Sequence, residues 1–562
     1  MTQAPPSSDT PPCPDAVLDE WALVRRFAGP RVRSLLDQQI DDGGDLDGGF
    51  RESPRRWPDG REAAYRAAEL IALRVYADRL GLEDGVPALE DAIRRALRFV
   101  RSRQRHDGQI DLSGSYSPNE AGFVIPGLAA GYRGLRRDTP GFFADVAEPL
   151  EAIIRGAAGA VVAGDAYTAN HRWAAASAPL AAAHALFPDP RYLAKIEGYL
   201  ADGIDCDADG FWYEERSPNY DGVSNQAMLI LADELGRPEL IDHAARNTAL
   251  RLATTQPDGT ADTSFSMRQD RHAAGRRTAV YRVARRVALH TGDGRFTTLT
   301  RQLADRGQIE RLTHLLFDLD AHPGPLPPAA PIETRFHHHF APRRIVRHRH
   351  DDWAVTLIAD PGTHYFDTVA VPAQALDGRS TDWLCLHAGG VVVRTVRLTV
   401  GGTGAFAPMN LRALGGNRYH LHDARTGFPL SQHFRPGRPR IWRDLSHDVH
   451  ADVALDRDRL TCELTAEASG SLIAWLSLVL DPGTEVDGRP IAAGETRERA
   501  GAGPMQLAAG GGRVVVEGLP ASLHAPSKPL TPHIPDRLEA EAGRVVVGLR
   551  LPSRLGLVFR AG

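Results

Sequence analysis

From Trp21 to Leu316 apolar side chains recur every three or four positions, as in REAAYRAAELIALRVYADRLG and VPALEDAIRRALRFVRSRQ. That period is the buried stripe of an α-helix. At least nine such segments alternate with short loops, among them AGFVIPGLAAGYRGLRR, HRWAAASAPLAAAHALF and SNQAMLILADELG, and they predict a layer of paired antiparallel helices. After AHPGPLPPAAPIET, residues 321 to 334, the pattern changes to short β-branched and aromatic runs such as DWAVTLIAD, GVVVRTVRLTVGG and SLIAWLSLVL. These predict many short antiparallel strands packed as a sandwich. The expected organisation is a disordered tail over 1–20, a helical catalytic domain over 21–320, a proline-rich linker over 321–334 and a β-domain over 335–562.

Composition narrows the function classes. At 562 residues, with 42% hydrophobic and 24% charged positions, the chain is long enough for two or more well-buried cores. A net charge of −5, from 66 Lys+Arg against 71 Asp+Glu, argues against nucleic acid or an anionic membrane as partner, so any anion must be held locally. Cys13, Cys206, Cys385 and Cys462 are too scattered for a zinc knuckle or a disulfide framework and read as free thiols. MTQAPPSSDTPPCPDAVLDE lacks a basic and an apolar region, and no run of 18 apolar residues occurs, which leads us to expect a cytoplasmic protein.

Three loops in the helical half share one design, a helix followed by Asp-Gly and a polar stretch: SRQRHDGQIDLSGSYSPNEAGF, DCDADGFWYEERSPNYDGVSN and TTQPDGTADTSFSMRQDRH. The glycines supply the positive φ at which helices end. The residues after these glycines are richer in chemistry than a turn needs: Asn119 and Glu120, then Arg216 and Tyr220, then Arg268 and Arg271. Arranged in a ring, these loops would converge on one mouth. Phe211, Trp212 and Tyr213 offer a sugar-stacking face through Trp212, although three consecutive aromatics cannot all point one way. Asn170 and His171 stand at a predicted helix start, where an asparagine also serves as N-cap.

NHRW on an Ala-rich helix, DGFWYEERSPNYDGVSNQAM some 40 residues later, QPDGTADTSFSMRQDR, and a β-rich half with an early aromatic strand DDWAVTLIAD together resemble the heparinase II/III-like polysaccharide lyases and their alginate lyase relatives. The resemblance covers roughly residues 100 to 420 and implies an incomplete (α/α) toroid followed by an antiparallel β-sandwich. It also implies a carbon–oxygen lyase without a cofactor, acting on an anionic uronate-containing oligosaccharide, with catalytic groups at Asn170, His171 and Tyr220 and with Arg216 beside them. Such enzymes remove the C5 proton of a uronate and expel the C4 oxygen, leaving a C4=C5 double bond. Asn170, His171 and Arg216 would then neutralise the uronate carboxylate, as an oxyanion hole does, and Tyr220 would move protons.

Two readings compete with this one. In a toroid glycoside hydrolase two of Glu120, Glu214, Glu215 and Asp262 would flank the glycosidic bond. A glycan-binding protein would bind without turnover. TRFHHHFAPRRIVRHRHDDW adds His337, His338, His339, His348 and His350, which read as solvated strand residues, as a contribution to the site through His339, or as a metal site; His387, His420 and His422 are further candidates. No specific metal-ligand spacing occurs, so a divalent ion is neither required nor excluded.

Overall fold

A computed structural model describes residues 18–51, 57–166, 168–213, 216–268, 270–273, 275, 279–309, 312–359, 382–400, 404–430, 440–469, 473–499, 501–522 and 541–562. Among these the chain forms thirteen α-helices up to Ala321 and, from Arg335, two large sheets, giving a multidomain α plus β fold. It divides into two compact units. One comprises Met1–Glu214, Tyr220–Leu250 and Ala279–Ile332; the other comprises Glu215–Asn219, Arg251–Thr278 and Glu333–Gly562. The sheet-bearing unit therefore includes two pieces of the helical half of the sequence, and Arg216 belongs to it while Tyr220 belongs to the helical unit.

Local sequence explains the helices. In Val86–Arg103 the buried residues Leu89, Ala92, Ile93, Ala96, Leu97 and Val100 follow the 3.6-residue period. Aspartates start several helices: Asp59 accepts a hydrogen bond from the Glu62 amide at 2.8 Å, and Asp189 and Asp293 accept from Arg191 and Arg295 at 2.9 Å. The proline-rich stretch lies along the helix Gly294–Asp305, where Thr298 donates to the carbonyl of Ala330 at 2.6 Å. No helix among the described residues is long and apolar enough to cross a membrane.

Each Asp-Gly loop closes with a single antiparallel bridge between residues six apart: Gln104 with Ile110, Cys206 with Trp212, and Thr255 with Ala261. Their glycines all have positive φ, 85° at Gly108, 91° at Gly210 and 78° at Gly259. At Gly210 a Cβ would also fall 2.4 Å from the Arg246 carbonyl oxygen, so both conformation and space demand glycine.

In the sheet-bearing unit one sheet runs Arg489–Pro490, Glu485–Val486, Met505–Ala509, Gly512–Glu517, Ser553–Ala561, Arg459–Ser469, Arg440–Leu455, Arg418–Leu430, Asn410–Gly415. The other runs Thr496–Glu498, Gly543–Arg550, Ile473–Leu480, Val391–Val400, Leu384–Ala388, Trp353–Ile358, Ile345–His350, Arg335–Phe340, with Gly404–Ala405 paired beside Val391–Val400. Pairing is antiparallel except between Thr496–Glu498 and Gly543–Arg550. Alternate residues of both sheets, for example Leu421, Val449, Ala451 and Leu464 from the first and Val355, Leu386, Leu398 and Leu476 from the second, enter one shared apolar core. Cys206, Cys385 and Cys462 are buried free thiols, and burial pushes Cys206 and Cys462 up to about 12; Cys13 lies outside the described residues.

Candidate active site

In the helical unit, Asn170 and His171 open a turn of π-helix, His171–Ser177. Asn170 has helical backbone angles, φ −58° and ψ −44°, and makes no side-chain cap; the Thr168 hydroxyl accepts from the His171 amide instead, at 3.3 Å. The capping role open to Asn170 in the sequence is thus taken by Thr168. Asn170 is 4% exposed, and among the described residues its Oδ1 has no hydrogen-bond partner; the same holds for Trp173 Nε1 and Ser177 Oγ on the same turn. Buried polar atoms are nearly always paired, so three orphans on one widened turn mark it out.

The helix Pro118–Asp138 lies against this turn. A Cβ at Gly122 would come within 1.8 Å of the Ala175 carbonyl oxygen, so only glycine permits the approach. One position on, Phe123 meets the His171 ring edge-on at 6.1 Å. The same helix is N-capped by Ser117, whose Oγ accepts from the Glu120 amide at 3.2 Å, which puts Asn119 and Glu120 in its first turn. The Glu120 carboxylate accepts from Arg61 at 2.5 Å.

Tyr220 is half-buried in the first turn of the helix Pro218–Leu235, and a chain of amides holds that turn in place. Trp212 Nε1 donates to Asn225 Oδ1 at 3.0 Å, Asn225 Nδ2 to Asn247 Oδ1 at 2.7 Å, and Asn247 Nδ2 to Asp221 Oδ2 at 2.5 Å and to the Gly210 carbonyl at 2.8 Å. Trp212 is 2% exposed, so it offers no stacking face to a sugar. Against that expectation the ring is enclosed and its indole nitrogen is bonded to Asn225. Of the three consecutive aromatics, Tyr213 is the exposed one.

In the sheet-bearing unit Arg216 is 6% exposed, has φ 48°, and directs Nη2 to Met267 Sδ at 2.9 Å. A left-handed arginine is a strained conformation of the kind that collects at working sites. Next to it, Ser217 Oγ donates to Asp270 Oδ2 at 2.6 Å, and Ser266 Oγ donates to Asp270 Oδ1 at 2.5 Å. Arg268 is half-buried, its amide donating to Ser266 Oγ at 3.2 Å. Arg271 is engaged with Asp382 at 3.4 Å, and so are His272 at 2.7 Å and Arg397 at 2.8 Å. Burial opposes charge on Asp382, but Arg397 foremost, with His272 and Arg271 beside it, holds its carboxyl well below the usual carboxylate range. His272 and Asp382 escape sequence reasoning, since 110 residues separate them.

Among the carboxylates of the hydrolase reading, Asp262 is enclosed. Burial disfavours its charge, yet Arg347 Nη1 at 3.5 Å, Ser264 Oγ at 2.6 Å and Thr356 Oγ1 at 2.5 Å keep it below the ordinary carboxylate range. Glu214 and Glu215 lie outside the described residues. Of the junction histidines, His338 is exposed. His337 donates to or accepts from His348 at 3.2 Å and the Tyr419 hydroxyl at 2.5 Å, and burial together with His348 lowers it to about 4. His339 is half-buried with its ring edge-on to Tyr419 at 5.3 Å; its Nε2 has no hydrogen-bond partner among the described residues, and burial lowers its pKa.

No protein-family model matches the chain, and no curated protein matches it in sequence. Solved structures do. The chondroitin AC lyase of Streptomyces coelicolor A3, in complex with chondroitin sulphate, matches with TM-score 0.54 and 13% identity over 98% of this chain and 81% of that one. A Paenibacillus xanthan lyase matches with TM-score 0.55 and 12% identity over 97% of this chain, which spans 57% of the length of that one. A heparan sulfate lyase of Pedobacter heparinus is matched at TM-score 0.49, with 13% identity over 99% and 85%. At these identities the likeness is one of fold: the chain has the fold of polysaccharide lyases, as its motifs implied.

Proposed function

We propose that the chain is a lyase that cleaves a uronic-acid-containing glycan by β-elimination, leaving a C4=C5 unsaturated uronate, and that its helices form an incomplete (α/α) toroid and its sheets a β-sandwich. Fold alone does not carry activity. The observation that carries the reading is the Asn170 amide, 4% exposed and without a partner for Oδ1 among the described residues, at the head of a π-turn whose next residue is a histidine.

The C5 proton of a uronate becomes acidic only when charge on the neighbouring carboxylate is neutralised. In this reading the Asn170 Nδ2 group and the His171 ring donate to that carboxylate, as preorganised donors do to developing negative charge, while Oδ1 is left to accept from a substrate hydroxyl. Tyr220, fixed by the Trp212–Asn225–Asn247 chain, withdraws the C5 proton and returns one to the departing O4. Arg216, four residues earlier in the chain, is assigned with Asn170 and His171 to the uronate carboxylate. Asn119, Glu120, Arg268, Arg271 and His339 are assigned to substrate binding. Against a paired-carboxylate hydrolase stands Asp262, which is 2% exposed and bonded to Arg347, Ser264 and Thr356 rather than presented to a glycosidic bond. The test is ultraviolet absorbance during incubation with heparan-type, hyaluronan, alginate and galacturonate oligosaccharides. Rising absorbance from the conjugated double bond, absent in Tyr220→Phe, supports the proposal; saccharide cleavage without absorbance overturns it in favour of hydrolysis.

A further inference from the structure

The outer face of the sheet formed by Arg418–Leu430 and Arg440–Leu455 carries five chemically matched side chains. Along these strands Tyr419, Leu421, Val449, Ala451 and Val453 point into the core, so His420 and His422 on one strand and Asp448, His450 and Asp452 on the other face outward. Register sets His422 opposite His450 and His420 opposite Asp452. The Nε2 atoms of His422 and His450 both converge on Asp448 Oδ1, at 2.8 Å and 3.2 Å. The two imidazoles are stacked, with centroids 4.4 Å apart and planes 7° from parallel. Behind them, His420 Nε2 lies 3.4 Å from His450 Nδ1, and its own Nδ1 lies 2.7 Å from Asp452 Oδ1.

We propose that His422, His450 and Asp448 bind one divalent first-row cation of the zinc class, with His420 and Asp452 as supporting partners. Ligand atoms about 2.0–2.1 Å from a tetrahedral zinc stand about 3.3 Å from one another; the carboxylate oxygen meets the two imidazoles at 2.8 and 3.2 Å, and all three ligand atoms lie within 4.8 Å of one another. Two imidazoles and a carboxylate suit zinc and its neighbours better than calcium or magnesium, which take oxygen ligands. A histidine whose second nitrogen meets a further group, itself set by a carboxylate, follows the usual outer-layer pattern of such sites. On the flanking strands Asn410 and Arg412 lie opposite His422 and His420, and Thr465, Glu463 and Glu467 lie opposite His450, Asp452 and Asp448, so two further carboxylates offset the one arginine. A second constellation, Asp233, Asp318 and His322, has the same ligand types but already holds cations, since Arg286 bonds both aspartates and Arg282 and Arg285 bond Asp318.

The site stands independently of the lyase reading, and its test does not use activity. Untagged full-length protein is dialysed against zinc and its metal content measured, then titrated with cobalt(II) while visible absorbance is followed. The expected result is one equivalent of metal and an intense tetrahedral cobalt spectrum, at least 10-fold weaker binding in Asp448→Asn, and loss of that equivalent in the His422→Ala/His450→Ala double variant. Circular dichroism checks that the variants fold; their side chains face away from the core. Metal binding unchanged in the double variant would place the ion elsewhere, for instance at His337–His339, and overturn the proposal, as would no binding in the wild type.

Discussion

Two buried asparagines of the helical unit stand in opposite situations. Asn247 is fully enclosed and spends its side chain on Asn225, Asp221 and the Gly210 carbonyl. Asn170 is nearly as buried, yet its Oδ1 meets no partner among the described residues. A satisfied network specifies one geometry and resists change; an unsatisfied polar atom costs stability and persists where something else uses it. Under the proposed function the two would be scaffold and site within one unit: the Trp212–Asn225–Asn247 chain bonds Asp221 in the helix turn that carries Tyr220, and the π-turn follows Asn170.

The sharpest way to break this contrast is to remove single groups from each side of it. Tyr220→Phe is expected to lower the rate of β-elimination by about 100- to 10,000-fold while changing unfolding free energy by less than about 1 kcal/mol, measured by absorbance assay and denaturant titration. Trp212→Ala should do the reverse, costing about 3–5 kcal/mol of stability because it opens a cavity and strands Asn225. A stable Trp212→Ala protein that no longer turns over substrate would put Trp212 back in the site. Asn170→Ala should cost about 100-fold in rate with stability unchanged or slightly raised, since an atom without a partner among the described residues is removed. If Asn170→Ala unfolds the protein while Asn247→Ala does not, the assignment of scaffold and site is inverted.

The smallest effect concerns the buried histidines of the sheet-bearing unit. Burial foremost, then His348, lowers His337 from its ordinary value of 6.5 to about 4. Between those pH values the unfolded chain binds a proton that the folded one refuses. Stability is therefore present above about pH 6.5 and declines as pH falls toward 4, by on the order of 1–2 kcal/mol once partial solvent screening is allowed for. Denaturant midpoints at pH 7 and pH 4.5 should differ less in His337→Gln than in the wild type; an equal difference assigns the effect to other groups.

Much of the fold was legible in the sequence because its determinants are local. A 3.6-residue apolar period, the aspartate and serine caps, and the shift to β-branched runs after residue 334 specified helices and then strands without any long-range information. The positive φ of Gly108, Gly210 and Gly259 was equally local, since Asp-Gly after a helix has few other conformations. Asn170, His171 and Tyr220 were singled out through the resemblance of NHRW and DGFWYEERSPNYDGVSNQAM to the heparinase II/III-like lyases. The contacts of those side chains could not be read from it.

Only the tertiary structure decided that Trp212 turns inward, because its acceptor, Asn225, is itself fixed by Asn247 on another helix. Nor is there any local signal that Asp270, 53 residues downstream, bonds Ser217, or that Asp382 gathers His272, Arg271 and Arg397. The histidines of YHLHD looked no different from others in the sequence; strand register set them against Asp448, His450 and Asp452. Backbone conformation is dictated by neighbours along the chain, whereas burial, pairing and charge depend on which distant groups folding brings within hydrogen-bond reach.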